Sequence, residues 1–161
     1  MFKVLSRATK GNVIREAWDK LAKLPKGNVI YSRLLGRIVP YSGTIPFVVE
    51  SLGESHATLR MPDTPKVRNH LNSIHAIALA NLGELSTGLA LNYALPPKAR
   101  CILVSLRMDY LKKARGPLKS STHFDRPEWG PHQEIVVHGD ITDAKGDVVA
   151  KVAATWLVDA L

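Results

Sequence analysis

The stretch RNHLNSIHAIALANLGELSTGLALNYALPPK, Arg68 to Lys98, carries one formally charged side chain between its basic ends, the carboxylate of Glu84. Nothing else in the chain restricts the fold as strongly. The pattern predicts a helix over Ser73 to Asn92, stopped where Pro96 and Pro97 forbid continuation. A helix apolar nearly all round must be enclosed, either by protein or by lipid. A membrane span takes roughly 20 predominantly apolar residues, but this segment contains Asn81, Glu84, Ser86, Thr87, Asn92 and two glycines. It reads as the buried helix of a protein core.

The rest of the sequence supplies a wrapper. Thr44 to Leu52 and Ser55 to Pro62 read as two strands of a hairpin, with Gly53 and Glu54 at the turn. After the helix come four strand patterns: Arg100 to Leu111, Leu118 to Phe124, Gln133 to Thr142 and Asp147 to Asp159. In the last of these Val148, Ala150, Val152, Ala154, Trp156 and Val158 alternate onto one face. Short turns between consecutive strands predict an antiparallel sheet wrapped around the helix, an α+β architecture. The length of 161 residues suits one domain.

Two helices precede this core. Asn12 reads as an N-cap, and Val13, Ile14, Ala17, Trp18, Leu21 and Leu24 recur at helical spacing up to Pro25. A second, shorter pattern runs from Val29 to Ile38 and is closed by Pro40. Residues 1–43 are therefore expected to form a helical extension on a core of residues 44–161. Both helices suit packing on the sheet, although a basic amphipathic helix also suits a membrane surface.

A net charge of +8 calls for a polyanionic partner to be weighed: nucleic acid, acidic lipid or a phosphate-bearing metabolite. The cations are dispersed, with the densest groups in Leu111 to Lys119 and the first forty residues, and no aromatic-studded basic stripe accompanies them. Solvated surface lysines or steering of a small anionic ligand fit better than nucleic acid, and neither nucleic-acid binding nor stable membrane insertion is expected. The single cysteine, Cys101, excludes an intramolecular disulfide, and no zinc-ligand spacing occurs. No secretory signal is read in MFKVLSRATKGN, so the expectation is a cytoplasmic protein with no bound metal.

Burying the Glu84 carboxylate is costly unless it is paired, and desolvation raises its pKa. Two readings follow: a salt bridge to a base elsewhere, or a functional acid. On a helical wheel its neighbours are Ala80, Asn81, Thr87 and Gly88, which make a groove of small and polar groups; Ile74, Ala78, Leu82, Leu85 and Leu89 form the apolar side. Upstream, Asn69, His70, Asn72 and His75 gather at the helix start, where free backbone N–H groups suit an oxyanion or phosphate. A metal site built from His70, His75 and Glu84 has no recognised spacing.

Asn69-x5-His75, a helix beginning at that histidine, an acid nine residues further on and four succeeding strands together resemble the hotdog-fold acyl-CoA thioesterases, in the branch related to phenylacetyl-CoA thioesterase. The resemblance spans roughly Thr44 to Val158. It departs from the family run N-x-x-G-x-x-H-G-G at Asn72, which replaces the first glycine, and at Ala76 and Ile77, which replace the glycine pair. What it implies is a hotdog fold and hydrolysis of acyl-CoA or acyl-carrier thioesters, with coenzyme A entering only as part of the substrate. Glu84 would be general base or nucleophile, the Ala76 N–H an oxyanion donor, Asn69 an orienter of carbonyl or water, and His75 a brace for the loop. Leu103 takes the place of a helper hydroxyl, with Ser105 one same-face step beyond it. Asn81, Thr87, Gly88 and Ser105 would line the substrate, and Lys112, Lys113 and Arg115 would meet its phosphates.

Geometry adds a condition. Ala76 and Glu84 are eight residues apart, a rise of roughly 12 Å at about 1.5 Å per residue, too far to share one carbonyl. The resemblance implies a homodimer, or a homotetramer built from dimers, with sites shared between copies. A non-catalytic acyl-CoA-binding hotdog protein is the alternative, motivated by the lost glycines and helper hydroxyl.

Overall fold

The computed structural model describes residues 12–160. The basic run at residues 1–11, on which the absence of a secretory signal was read, lies outside them. Helices α1 (Val13–Leu21) and α2 (Gly27–Ile38) lead through a 3-10 turn at Ser42–Thr44 into strands β1 (Val48–Gly53) and β2 (His56–Met61). A second 3-10 turn, Pro65–Val67, precedes the long helix α3 (Ala76–Ala94). Strands β3 (Arg100–Tyr110), β4 (Leu118–His123), β5 (Gln133–Thr142) and β6 (Val148–Asp159) complete the chain.

The six strands form one antiparallel sheet in the order β1-β2-β4-β5-β6-β3. Helix α3 packs against every one of them. Thirteen of its nineteen residues are buried, with Leu82, Ala90 and Leu91 inaccessible to solvent. Enclosing each of these leucines contributes about 2 kcal/mol relative to exposure, so the apolar sequence of α3 is what holds the sheet around it. This is the α+β hotdog arrangement that the resemblance implied.

The wrapping also encloses polar groups that pattern reading had not paired. The Ser86 hydroxyl donates to Gly83 O at 3.0 Å and meets Ser120 Oγ at 2.8 Å, while Thr122 Oγ1 donates to Ser86 Oγ at 3.0 Å. Three buried hydroxyls thus satisfy one another between α3 and β4, as burial requires.

Three expected boundaries move. Helix α3 begins at Ala76 rather than Ser73, because Ile74 N–H donates to Ala114 O and His75 N–H to Val67 O, holding these residues extended. Strand β1 begins at Val48 rather than Thr44: residues 42–44 curl into the 3-10 turn, which lies so close to α2 that a Cβ on Gly43 would sit 2.2 Å from Gly36 O. The hairpin turn is Glu54 and Ser55, since Gly53 already pairs with His56.

The N-terminal helices share the same core. Trp18 of α1 packs edge-on against Tyr31 of α2, centroids 5.1 Å apart, and both join the main cluster with Leu35. Ser32 of α2 accepts the Val49 N–H at 2.8 Å, so α2 covers β1, one edge of the sheet. The opposite edge, β3, has no strand beyond it among the described residues.

Candidate active site

The start of α3 is built by its own loop. The Asn69 carboxamide oxygen accepts from Leu71 N, Ser73 N and Ser73 Oγ at 2.9, 3.2 and 3.1 Å, folding residues 69–73 into a turn. That leaves Nδ2 as the group Asn69 has to offer a ligand. Asn72, in place of a glycine, has φ +52°, a left-handed conformation that asparagine tolerates better than most residues. His75 is the N-cap: its Nδ1 accepts the Ile77 N–H at 3.1 Å, so a neutral ring carries its proton on Nε2.

The cap leaves Ala76 free. Ile77 N–H is taken by His75 Nδ1 and Leu79 N–H by His75 O, whereas Ala76 N–H, at the first helical position, has no partner among the described residues. Ala76 and Ile77 both lie within the right-handed helix, so replacing the glycine pair strains nothing here. Beside them opens a pocket of about 240 Å³ lined by Asn69, Ser73, Ala76, Leu79, Tyr110 and Lys113 among others. The Tyr110 hydroxyl donates to Ala76 O at 3.0 Å, fixing β3 against the helix start. Across α3, a second pocket of about 280 Å³ is lined by Tyr41, Arg68, His75, Ile77 and Asn81 among others.

Glu84 stands two turns further along α3, half-buried. Its carboxylate forms no ion pair or hydrogen bond among the described residues, and burial pushes its pKa upward. The salt-bridge reading therefore has no base to supply it within the described chain. Next to it lies Cys101 of β3, whose thiol burial pushes up to about 11, with the Glu84 charge adding to the rise and an Asn92 hydrogen bond opposing it. Such a thiol is a poor nucleophile near neutral pH.

Several side chains expected to line or meet the substrate are enclosed, turned outward or engaged within the chain. Thr87 is fully enclosed and donates to Glu84 O at 2.9 Å. Gly88 faces the Trp156 ring, which lies 2.9 Å from where a Cβ would be, so the groove read from the wheel is filled by indole. Asn81 is buried with a long 3.5 Å hydrogen bond to Tyr41 O, and only its edge reaches the second pocket. A β-bulge at Val104 puts Leu103 opposite Trp156 but Ser105 opposite Thr155, on the outer face. Ser105 thus points away from the helix rather than one same-face step beyond Leu103. Lys112 reaches the first pocket, but its ammonium is held by Asp143 at 2.9 Å and Asp147 at 2.6 Å. Arg115 donates to Asn72 O at 3.3 Å, bracing the loop.

Tyr110 and Cys101 had not been placed at the site. The bulge reverses the inward phase of β3 midway along the strand, so plain alternation could not find both. No three His, Cys, Asp or Glu side chains cluster as metal ligands among the described residues.

A family model described as a domain of unknown function, DUF4442, matches residues 27–158, from α2 to the end of β6. The chain belongs to the DUF4442 family. This assignment covers the whole sheet, α3 and the site loop. Among solved structures, a structural-genomics protein designated APC5556 is 23% identical with a TM-score of 0.81, over 92% of this chain and 99% of its own. A protein of unknown function from Pseudomonas aeruginosa, described as a probable thioesterase, is 24% identical with a TM-score of 0.68, over 86% and 97%. A thioesterase enzyme from Staphylococcus aureus is 15% identical with a TM-score of 0.67, over 75% and 99%. At these identities the likeness is one of fold. No curated protein matches the sequence.

Proposed function

We propose that this DUF4442 protein is a thioesterase acting on acyl-CoA thioesters. The observation that carries the reading is the half-buried, unpartnered Glu84 carboxylate on an otherwise apolar helix, with its pKa raised by burial. An acid so placed is poised to accept a proton. In the reaction Glu84 takes a proton from water as the water oxygen adds to the thioester carbonyl. The Ala76 N–H and Asn69 Nδ2 stabilise the oxyanion, and its collapse breaks the C–S bond, the departing thiolate receiving that proton. The positive surface favours the phosphates of coenzyme A, with Lys113 at the first pocket better placed than the ion-paired Lys112.

The separation of Ala76 and Glu84 along α3 requires each site to combine one copy's carboxylate with another copy's helix start. Support for a homodimer comes from β3, an open edge strand with Ile102 65% and Val104 54% exposed, since such edges are normally covered. We place the enzyme in the cytoplasm.

The test is release of free thiol from a panel of acyl-CoAs by wild type and Glu84→Gln. Loss of at least about a hundred-fold in kcat is expected; wild-type turnover in the variant removes Glu84 from the mechanism. The outward Ser105, which leaves no helper hydroxyl next to Leu103, favours a second reading, acyl-CoA binding without hydrolysis. Saturable binding with no thiol release from any substrate would establish that instead.

A further inference from the structure

Between Asp19 and Glu50 the chain has five Lys or Arg residues and no acid. Both bordering acids are engaged elsewhere: Asp19 accepts from the Tyr93 hydroxyl at 2.8 Å, and Glu50 pairs with Arg60 at 3.0 Å and Lys119 at 3.4 Å. None of the five cations forms an ion pair among the described residues.

The same stretch exposes aliphatic side chains in an ordered way. Tyr31, Ser32 and Leu35 of α2 turn inward, and the outer face presents Ile30, Leu34 and Ile38 at successive four-residue steps, flanked by Arg33 and Arg37. Val39 and Tyr41 follow directly, Tyr41 being 70% exposed. Packing on β1 explains the inner face of α2 and leaves this outer face without a partner among the described residues.

We propose that the outer face of α2, continued through Tyr41, docks the protein on an anionic phospholipid surface. A helix lying in a bilayer interface shows this arrangement, aliphatic side chains directed into the acyl boundary with Lys and Arg at the level of the headgroups. A second copy is a poor occupant, because self-pairing would bring two acid-free cationic faces together. Residues 1–11 are equally poor, since they add three cations and no acid. Nucleic acid would engage the cations and leave the aliphatic stripe in water. The face is also remote from the open β3 edge, because α2 covers β1 at the other end of the sheet. It ends at Tyr41, which lines the pocket beside His75 and Asn81, so a lipid-bound protein would have that pocket near the bilayer.

Flotation of the full chain with vesicles tests this without reference to thioester chemistry, so its outcome is separable from that of the enzymatic reading. The chain is expected to float with phosphatidylcholine vesicles containing about one third phosphatidylglycerol, to stay behind with phosphatidylcholine alone, and to lose binding as salt rises. Arg33→Glu/Arg37→Glu and Leu34→Ser/Ile38→Ser should each weaken binding at least about ten-fold, with unchanged circular dichroism since all four residues are exposed. Failure to float with the anionic vesicles overturns the proposal, as does wild-type binding by either double variant. Self-association lost in Leu34→Ser/Ile38→Ser would overturn it too, by showing that another copy covers the stripe.

Discussion

Glu84 is a half-buried acid on an otherwise apolar helix, and no base meets it among the described residues. Desolvation favours its neutral form, so its folded pKa lies above that of the unfolded chain, about 4.3. Between those two values the folded state binds more protons than the unfolded, and stability therefore falls as pH rises through the folded pKa. Glu84→Gln removes this penalty. Thermal melts should show the variant more stable than wild type near about pH 8, with the difference shrinking toward about pH 4. A constant difference across that range would mean that the carboxylate is paired in the folded protein. If Glu84 is the general base of the proposed reaction, kcat/KM of the wild-type protein should fall as pH drops through the same raised pKa, because the protonated acid no longer accepts a proton.

At the scale of elements, the N-terminal helices complete α3. Asn12 uses both ends of its carboxamide: Oδ1 caps α1 by accepting from Arg15 N at 3.1 Å, while Nδ2 donates to the carbonyls of Asn92, Tyr93 and Leu95. Arg15 donates from Nε to Tyr93 O at 2.7 Å and lies 5.2 Å from the centre of the Tyr93 ring. A cation and an amide thus satisfy carbonyls that the prolines leave without helical partners, and the positive charge suits the negative end of the helix. Arg15→Ala should cost about 1–2 kcal/mol and lower the Tm by a few degrees. An unchanged Tm would show that water serves these carbonyls equally well. The Asn12 cap was legible in the sequence because capping is local; its second task joins residues eighty apart, which no spacing rule reaches. In the same way His75 was legible as a helix start, whereas its exchange of Nδ1 with Ile77 N–H required the backbone.

For the whole molecule the two sheet edges carry the argument. One is closed by α2 through Ser32 and Val49; the other exposes Ile102 and Val104. If assembly proceeds through β3, sedimentation equilibrium should show dimers, or tetramers built from them, and Ile102→Lys/Val104→Lys should shift the protein to monomers. Those monomers should lack thiol-releasing activity, since each would keep Glu84 and Ala76 too far apart to act on one carbonyl. An active monomer would separate catalysis from assembly.

Period and composition alone determined that a long apolar helix is enclosed by antiparallel strands, that prolines end it, and that one acid lies inside it, because hydrophobic spacing acts along the chain. Tertiary structure decided which neighbours that acid keeps. Trp156 fills the surface at Gly88, a single bulge turns Ser105 outward, and two aspartates of the β5–β6 turn neutralise Lys112. Each of these depends on register between distant strands, and a shift of one residue in register exchanges the two faces of a strand.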